Sequence, residues 1–178
     1  MNVAHLLGAP VVRAFSFWRV PDPASVREEV VKALAEAVER VQEAGLKPAL
    51  ENEHECNVGA GAEAGWILGR ISSPAFGLIW DPGNEAMLGS EPFSGGYSHV
   101  RGRVTHLHLK DVDVEGNWTK VGTGIIDYPG QLRALAEDGY GAHFPWRRTT
   151  RPQAADPKER HESPWLQSGT CASKPAWN

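Results

Sequence analysis

Residues 76–84, FGLIWDPGN in one-letter code, run from a short apolar segment straight into an acidic side chain and a turn. The apolar part, Phe76–Trp80, has the composition of a buried β-strand, and the Pro-Gly pair that follows Asp81 ends it. The segments at 47–53 and 104–111 have the same layout, apolar in the centre and polar at the end. This repeated layout predicts three similar strands.

Helical patterns lie between the predicted strands. Asp22 is a good N-cap with Pro23 at the first helical position, although a capping box over residues 25–28 is a competing start. The helix ends at Gly45, and its apolar face is Val26, Val30, Leu34, Ala37, Val41 and Ala44. The rest of the pattern is a strand at 11–17, helices at 59–71 and about 131–137, loops at 85–96 and 112–124, and a strand at 142–144. Such alternation predicts βαβ units and a parallel α/β fold.

Ligand-type side chains stand at the ends of three of these strands. Glu51 ends the second strand, Asp81 the third and His108 the fourth, with spacings of 30 and 27 residues. In parallel α/β folds ligands bind outside the carboxyl ends of the strands, so these side chains would meet at one face. Two carboxylates and one imidazole suit a divalent ion such as Mn²⁺, Mg²⁺, Co²⁺ or Zn²⁺. The pattern therefore predicts a metal site.

Each of these residues also has an ordinary explanation. A carboxylate after a strand is usually a helix cap or a surface charge, and Asp81 could be a turn residue. A strand histidine is more often a core residue, and His106 shares a strand face with His108, so either imidazole could be the ligand. Residues 53–55 could be extra ligands or a loop of mixed charge. The shared position of the three residues is what favours a joint site.

Three short motifs carry a family resemblance. The segments LENE at 50–53, WDPGN at 80–84 and HLHLKD at 106–111 resemble the successive metal-site strands of the xylose isomerase-like TIM barrels. GTGIIDY at 122–128 also resembles a Gly-x-Gly-x-Ile-Asp turn of that family, and the likeness covers about residues 2–144. The family includes sugar and sugar-phosphate isomerases and epimerases, inosose dehydratases and AP endonucleases of the endonuclease IV type.

The resemblance implies an α/β fold that is a partial (β/α)₈ TIM barrel, corresponding to about strands 4–8. By this likeness Glu51 is a metal-bridging carboxylate and one of a catalytic acid/base pair, while Asp81 and His108 are metal ligands. The implied activity is a divalent-metal-dependent isomerase or epimerase acting on a small sugar or sugar phosphate. In such enzymes the metal stabilises an enediolate while two carboxylates move a proton on and off carbon.

The same likeness implies substrate contacts. Asn84 stands where relatives often have a polar residue that contacts substrate. Arg19 is a candidate for binding a substrate hydroxyl or phosphate, with a solvated loop arginine as the alternative. Lys110 and Asp111 are expected to orient His108 or to touch substrate, unless they form a surface ion pair. His106, the other histidine of the strand, is a further candidate.

Three other functions stay open on the sequence. A lyase of the inosose dehydratase type uses the same scaffold, and the sequence does not separate it from an epimerase. Phosphodiester cleavage of the AP endonuclease type needs further histidines and a basic surface, which the acidic core of this chain lacks. The third alternative is a non-catalytic fragment.

The length of the chain departs from the family. A (β/α)₈ barrel needs about 250 residues, with roughly 200 near the minimum, and this chain has 178. Met1 falls where the family finishes the helix before its fourth strand, so strands one to three are expected to be absent. An open half-barrel exposes strand edges and an apolar interior face. A covering partner, such as a second copy in a homo-oligomer, is therefore one expectation.

Residues 145–178 differ in composition from the predicted barrel domain at 1–144. They hold six Lys or Arg against three acidic residues, three of the seven Trp, and a single branched aliphatic residue, Leu166. The family's eighth strand supplies a fourth ligand, a glutamate, often in a Leu-Glu-Thr-His-like segment, whereas this chain reads PWRRTTR at 145–151.

A set of codons allowed for that segment encodes Leu-Glu-Thr-His-Tyr in a shifted frame. The hypothesis is that translation is out of frame after about Phe144, which makes the tail irregular and non-native; a natural divergent tail is the alternative. The same glutamate would be the second acid/base. Without it, the metal is expected to bind weakly and the activity to be low.

Composition excludes several classes of protein. Eighteen basic and 22 acidic residues give a formal charge of −4, so nucleic acid is disfavoured as a partner. Cys56 and Cys171 match neither a disulfide framework nor a zinc motif. No segment approaches the roughly 20 apolar residues of a membrane span, and the N-terminus lacks the layout of a signal peptide. The expectation is a soluble cytoplasmic protein without a membrane partner.

Overall fold

The computed structural model describes residues 2–141. The helices are α1 Asn2–Leu6, α2 Arg27–Glu43, α3 Gly61–Leu68, α4 Pro82–Met87 and α5 Tyr128–Glu137, with short helical turns at Pro23–Val26, Pro92–Gly96 and Tyr97–His99. The strands are β1 Val11–Ala14, β2 Lys47–Glu51, β3 Gly77–Trp80, β4 Val104–Leu107, β5 Asp111–Val112 and β6 Trp118–Thr119. The predicted strand at 142–144 and the tail at 145–178 lie outside the described residues.

Strands β1 to β4 form one parallel sheet in the order of the chain, β1-β2-β3-β4. Helix α2 joins β1 to β2, and α3 joins β2 to β3. The predicted βαβ organisation is therefore confirmed. Consecutive parallel neighbours joined by helices are the arrangement of a (β/α)₈ barrel, and the fold is α/β and consistent with part of such a barrel.

The strands are shorter than the sequence predicts. β1 ends at Ala14, and the chain turns at Phe17, whose φ of 65° is left-handed. β4 ends at Leu107, although the backbone N–H of His108 still donates to the carbonyl of Trp80 at 2.9 Å. The ligand-type residues of the third and fourth strands thus lie just beyond the regular ladder.

Helix α2 confirms the predicted amphipathic helix, but one residue of its buried face differs from the prediction. Val38 is buried where the sequence predicts Ala37, because the larger side chain packs into the core. Asp22 caps the turn before α2 by accepting from the N–H of Ala24 at 3.1 Å. The hydroxyl of Ser25 donates to the carbonyl of Asp22, so the competing capping box does not form. The buried face of α2 is Val30, Leu34, Val38 and Val41.

The core lies between the sheet and its helices. It includes Leu50, Leu78, Trp80 and Leu107 from the strands, and Val30, Leu34, Ala64 and Ile67 from α2 and α3. On β1 and just after it, Val11, Arg13 and Phe15 alternate with less exposed residues and face solvent. This open side is what part of a barrel would present toward the barrel interior.

Two predicted loops contain regular structure. The segment 85–96 overlaps α4, which begins earlier because the side chain of Asp81 accepts from the backbone N–H of Asn84 and caps the helix. The loop at 112–124 contains the antiparallel hairpin of β5 and β6. None of the helices within residues 2–141 is long and apolar enough to cross a bilayer.

Candidate metal centre

Three ligand-type side chains meet at the carboxyl ends of β2, β3 and β4. Nδ1 of His108 lies 3.0 Å from Oε1 of Glu51 and 3.5 Å from Oδ2 of Asp81. One candidate ligand atom from each residue lies within 4.8 Å of the others. Both carboxylates are buried and the imidazole is half-buried. The structure thus brings together the three residues that the strand ends single out.

Asp81 is held in place by Asn52, the residue directly after β2, and by its own helix. Oδ1 of Asn52 accepts from the N–H of Asp81 at 2.7 Å, and Nδ2 of Asn52 donates to the carbonyl of Asp81 at 2.9 Å. Oδ1 of Asp81 accepts from the N–H of Asn84 at 3.0 Å, which directs Oδ2 toward His108. Sequence reasoning missed Asn52, although it stands directly after Glu51 in the first motif.

Two cations neutralise the buried carboxylates. Nη1 of Arg13, on β1, donates to Oε2 of Glu51 at 2.9 Å. Nζ of Lys110 lies 2.8 Å from Oδ2 of Asp81. Sequence reasoning missed Arg13, because only the strand register shows that it stands beside Glu51.

These contacts favour the ionised forms of His108 and Asp81. Hydrogen bonds to Asp81 and Glu51 raise the pKa of His108 to about 9. Burial opposes ionisation of Asp81, but contacts with His108 and Lys110 outweigh it and lower the pKa of that carboxyl. Partial loss of solvent around the ring, followed by the charge of His108, lowers the pKa of His106. Near neutral pH these shifts favour an imidazolium at His108 beside the carboxylate of Asp81.

The donor set fits a divalent metal ion. Two carboxylate oxygens and one imidazole nitrogen are a ligand set for Mn²⁺, Co²⁺ or Zn²⁺, and carboxylates also suit Mg²⁺. A metal-ligating imidazole must be neutral, so a cation would take the place of the proton that His108 shares with Glu51 and Asp81. The three ligand atoms lie close enough together for one ion to contact them all.

The two histidines of the fourth strand differ in position. His106 lies on the same side as His108, with ring centroids 5.5 Å apart and the rings nearly perpendicular. It is exposed and does not belong to the group that includes Glu51 and Asp81. The geometry therefore favours His108 as the ligand and leaves His106 beside the site.

Asn84 differs from the expected substrate contact. It is fully buried. Its Nδ2 donates to the carbonyl of Asn52 at 2.8 Å, and its Oδ1 lies 3.0 Å from Nδ1 of His54. Because its polar atoms are satisfied inside the protein, Asn84 links α4 to the end of β2.

Asp111 also has an internal role, in place of the expected substrate contact or surface ion pair. Its buried carboxylate accepts from four backbone N–H groups, at distances of 2.9 to 3.3 Å. The donors are Val112, Gly122, Gly124 and Ile126. Asp111 therefore organises the loop that contains the glycine motif at 122–128.

Arg19 is engaged away from the three-residue cluster. Its guanidinium donates to both carboxylate oxygens of Glu63, at 2.8 and 3.1 Å, and to the carbonyl of Cys56 at 3.0 Å. Glu63 also accepts from the N–H groups of Gly59 and Ala60, at the start of α3. Arg19 therefore stabilises the start of α3 through Glu63, and it is not the solvated loop residue of the alternative.

The charged loop at 53–55 adds no ligand to the cluster. Oε1 of Glu53 pairs with Nδ1 of His54 at 2.6 Å, and Glu55 is exposed. Lys110 pairs with Asp81 and not with His108, and its Nζ lies 3.8 Å from Oε2 of Glu53. The mixed-charge explanation of this loop therefore agrees with the structure.

An open cleft of about 560 Å³ lies beside the cluster. Its walls include Glu53, His54, Lys110 and Trp118. Gly83 permits the close approach of Lys110 to α4, because a Cβ at residue 83 would lie 2.8 Å from Cβ of Lys110. A separate cavity of about 230 Å³ lies between α2 and α3, and neither this cavity nor the cleft is lined by Glu51, Asp81 or His108.

The fold and the site together define a segment of a parallel α/β barrel with a candidate divalent-metal site at its strand ends. The sequence pattern of the xylose isomerase-like TIM barrel family matches residues 1–167, and the chain belongs to this family. The resemblance read from the three strand-end motifs is thereby confirmed.

Individual relatives are similar over most of this chain. The rhizopine catabolism protein MocC of Rhizobium meliloti is 27% identical over 156 residues, covering 78% of this chain and 46% of that protein. A D-tagatose 3-epimerase-like protein of known structure is 22% identical, with a TM-score of 0.67, covering 79% of this chain and 56% of its own. The structure of the IOLI protein with a zinc atom is 21% identical, with a TM-score of 0.66, covering 79% and 54%. The chain thus spans about half the length of these relatives.

Proposed function

We propose that this chain carries part of the active site of a divalent-metal-dependent isomerase or epimerase that acts on a small sugar or sugar phosphate. The observation behind the proposal is the meeting of Glu51, Asp81 and His108 at three successive strand ends. Membership of the xylose isomerase-like family supports it. The name of the D-tagatose 3-epimerase-like relative is compatible with a sugar substrate.

Glu51, Asp81 and His108 would hold the metal ion. Bound there, Mn²⁺, Mg²⁺, Co²⁺ or Zn²⁺ supplies Lewis-acid stabilisation of the negative charge that develops on substrate oxygens. The zinc atom of the IOLI structure supports a divalent ion of this group. Glu51 would also be the base that takes a proton from the carbon next to the substrate carbonyl, through the second lone pair of the oxygen that Arg13 contacts.

Substrate contacts are proposed for the groups that remain accessible at this end of the sheet. His106 is exposed next to His108. Lys110 is partly exposed at the cleft, where its ammonium could turn from Asp81 to a substrate oxygen. Arg19, Asn84 and Asp111 make the internal contacts described above, so no substrate contact is proposed for them.

The isolated chain is proposed to bind metal weakly and to turn over little substrate. The family's fourth ligand and second acid/base is a glutamate, and the segment at 145–151 contains none. The frameshift hypothesis accounts for this. Sequencing the gene decides it, since a shifted frame after codon 144 that does not encode a continuing strand and helix would contradict the hypothesis.

Isothermal titration of the full chain with Mn²⁺ tests the metal site. We expect binding weaker than micromolar, lost in Glu51→Gln and kept in Glu36→Gln, a control carboxylate on the exposed side of α2. Micromolar binding would contradict the proposed weakness of the site. No binding at millimolar Mn²⁺ would contradict the site itself.

Product analysis separates the proposed isomerase from its alternatives. With Mn²⁺ present, an epimerised ketose supports the proposal, whereas dehydration of inosose supports the lyase. Chelator-sensitive breaks in abasic DNA would support an endonuclease. A broad thermal transition with no product would support a non-catalytic fragment. The cytoplasmic location and the homo-oligomer remain predictions.

A further inference from the structure

Arg13 lies outside the sequence motifs that carry the family resemblance. It pairs with Ala49 across the β1–β2 ladder, so Glu51, two residues further along β2, lies on the same face. Nη1 of Arg13 donates to Oε2 of Glu51 at 2.9 Å. The guanidinium also lies over the ring of Phe15, 4.7 Å from its centroid. Two contacts thus fix a side chain that is half exposed.

The two oxygens of Glu51 have different partners. Oε2 is bound by Arg13, whereas Oε1 faces Nδ1 of His108 at 3.0 Å. The oxygen that Arg13 holds is therefore not the one that points into the metal cluster. A guanidinium placed in this way fixes the plane of the carboxylate and leaves one oxygen available to a cation.

We propose that Arg13 is a positioning residue of the metal site, which holds Glu51 so that it ligates through Oε1 alone. The inference rests on the proposed metal site and adds a residue from the neighbouring strand to it. Removing a residue that hydrogen-bonds to a metal ligand and orients it commonly lowers metal affinity by about 10- to 100-fold. A cation near a metal site also repels the metal. Removing Arg13 should therefore weaken metal binding if it positions Glu51, and strengthen metal binding if its charge only repels the ion.

The experiment compares metal binding by the full-length wild type, Arg13→Gln and Arg13→Lys. Mn²⁺ affinity is measured by isothermal titration, and the coordination of Co²⁺ by its visible absorption spectrum. Arg101→Gln is the matched control, because Arg101 is an exposed arginine paired with the carboxylate of Asp138, outside the cluster.

We expect Arg13→Gln to weaken Mn²⁺ binding about tenfold and to change the Co²⁺ spectrum, because a freed Glu51 can ligate through both oxygens. Arg13→Lys should recover part of the affinity, and Arg101→Gln should match the wild type. Unchanged or tighter Mn²⁺ binding in Arg13→Gln, with an unchanged Co²⁺ spectrum, overturns the role of Arg13 alone. A wild-type chain that binds neither ion at millimolar concentration overturns the metal site and this assignment with it.

Discussion

The ammonium of Lys110 lies 2.8 Å from Oδ2 of Asp81, the carboxylate oxygen that also faces Nδ1 of His108. The other oxygen of Asp81 accepts from the N–H of Asn84, so Oδ2 is the atom left for a metal ion. In the proposed metal site, Lys110 would therefore compete with the ion for one atom, whereas Arg13 holds the oxygen of Glu51 that points away from the cluster.

Replacing Lys110 with methionine should tighten Mn²⁺ binding about tenfold, or ~1.4 kcal/mol. A charge-assisted contact with Asp81 is of that order, and a metal would no longer have to displace it. Isothermal titration measures the change, with Lys120→Met as control, because Lys120 is an exposed lysine directly after β6. Weaker binding in Lys110→Met would show that the lysine supports the metal instead of competing with it.

Asn52→Ala should lower the free energy of unfolding by about 2–3 kcal/mol. The side chain of Asn52 satisfies both the N–H and the carbonyl of the buried Asp81, and each buried polar group left without a partner costs about 1–3 kcal/mol. Urea denaturation measures the loss. Asn117→Ala, in the exposed turn of the hairpin, is the control, and equal effects of the two variants would contradict this role of Asn52.

Gly83→Ala should destabilise the protein by about 1–3 kcal/mol, the usual range for overpacking a filled site. A Cβ at this position would lie 2.8 Å from Cβ of Lys110 and 2.9 Å from Cζ3 of Trp118. In the control Gly95→Ala, the nearest side-chain atoms are 3.8 Å away. Urea denaturation compares the two variants, and a neutral Gly83→Ala would mean that the hairpin shifts freely.

Glu85→Gln should remove a pH dependence of stability. Burial is the main cause that raises the pKa of Glu85 from 4.5 to about 7. The unfolded chain releases this proton near 4.5 and the folded chain near 7, so stability falls as pH rises between these values. The loss amounts to about 3 kcal/mol, at 1.36 kcal/mol for each unit of pKa.

Urea denaturation at several pH values compares Glu85→Gln with the wild type. The stability of the variant relative to the wild type should increase from pH 4.5 to pH 7. Glu36→Gln, on the exposed side of α2, is the control for the loss of one carboxylate. A difference between Glu85→Gln and the wild type that is the same at every pH would contradict the raised pKa of Glu85.

The strand ends could be predicted because they depend on local pattern. Apolar segments that end at Glu51 and Asp81, joined by helices of known length, imply parallel neighbours and a common edge. The roles of Asn84 and Asp111 could not be predicted in this way. A polar residue after a strand gives the same sequence pattern whether it faces substrate or is buried. Only the packed structure shows that Asn84 and Asp111 make internal hydrogen bonds instead.

The partners of the buried carboxylates depend on contacts across the chain. Arg13 is 38 residues from Glu51, and the pairing depends on the register of β1 against β2. The change from Ala37 to Val38 on α2 has a related origin, because a helical face predicted from spacing allows either residue and packing selects the larger one. Contacts of this kind follow from tertiary structure and leave no local signal.

The carboxylate of Asp111 binds the backbone of the segment at 122–126 at three points. Lys110, directly before it, forms part of the cleft wall, and so do Trp118 and Val121 within the enclosed segment. A change to the walls of this cleft should therefore replace residues 110–126 together. A single substitution within this segment could leave Asp111 and the backbone that it binds mismatched. A segment replaced as a whole would bring its own residue for these hydrogen bonds.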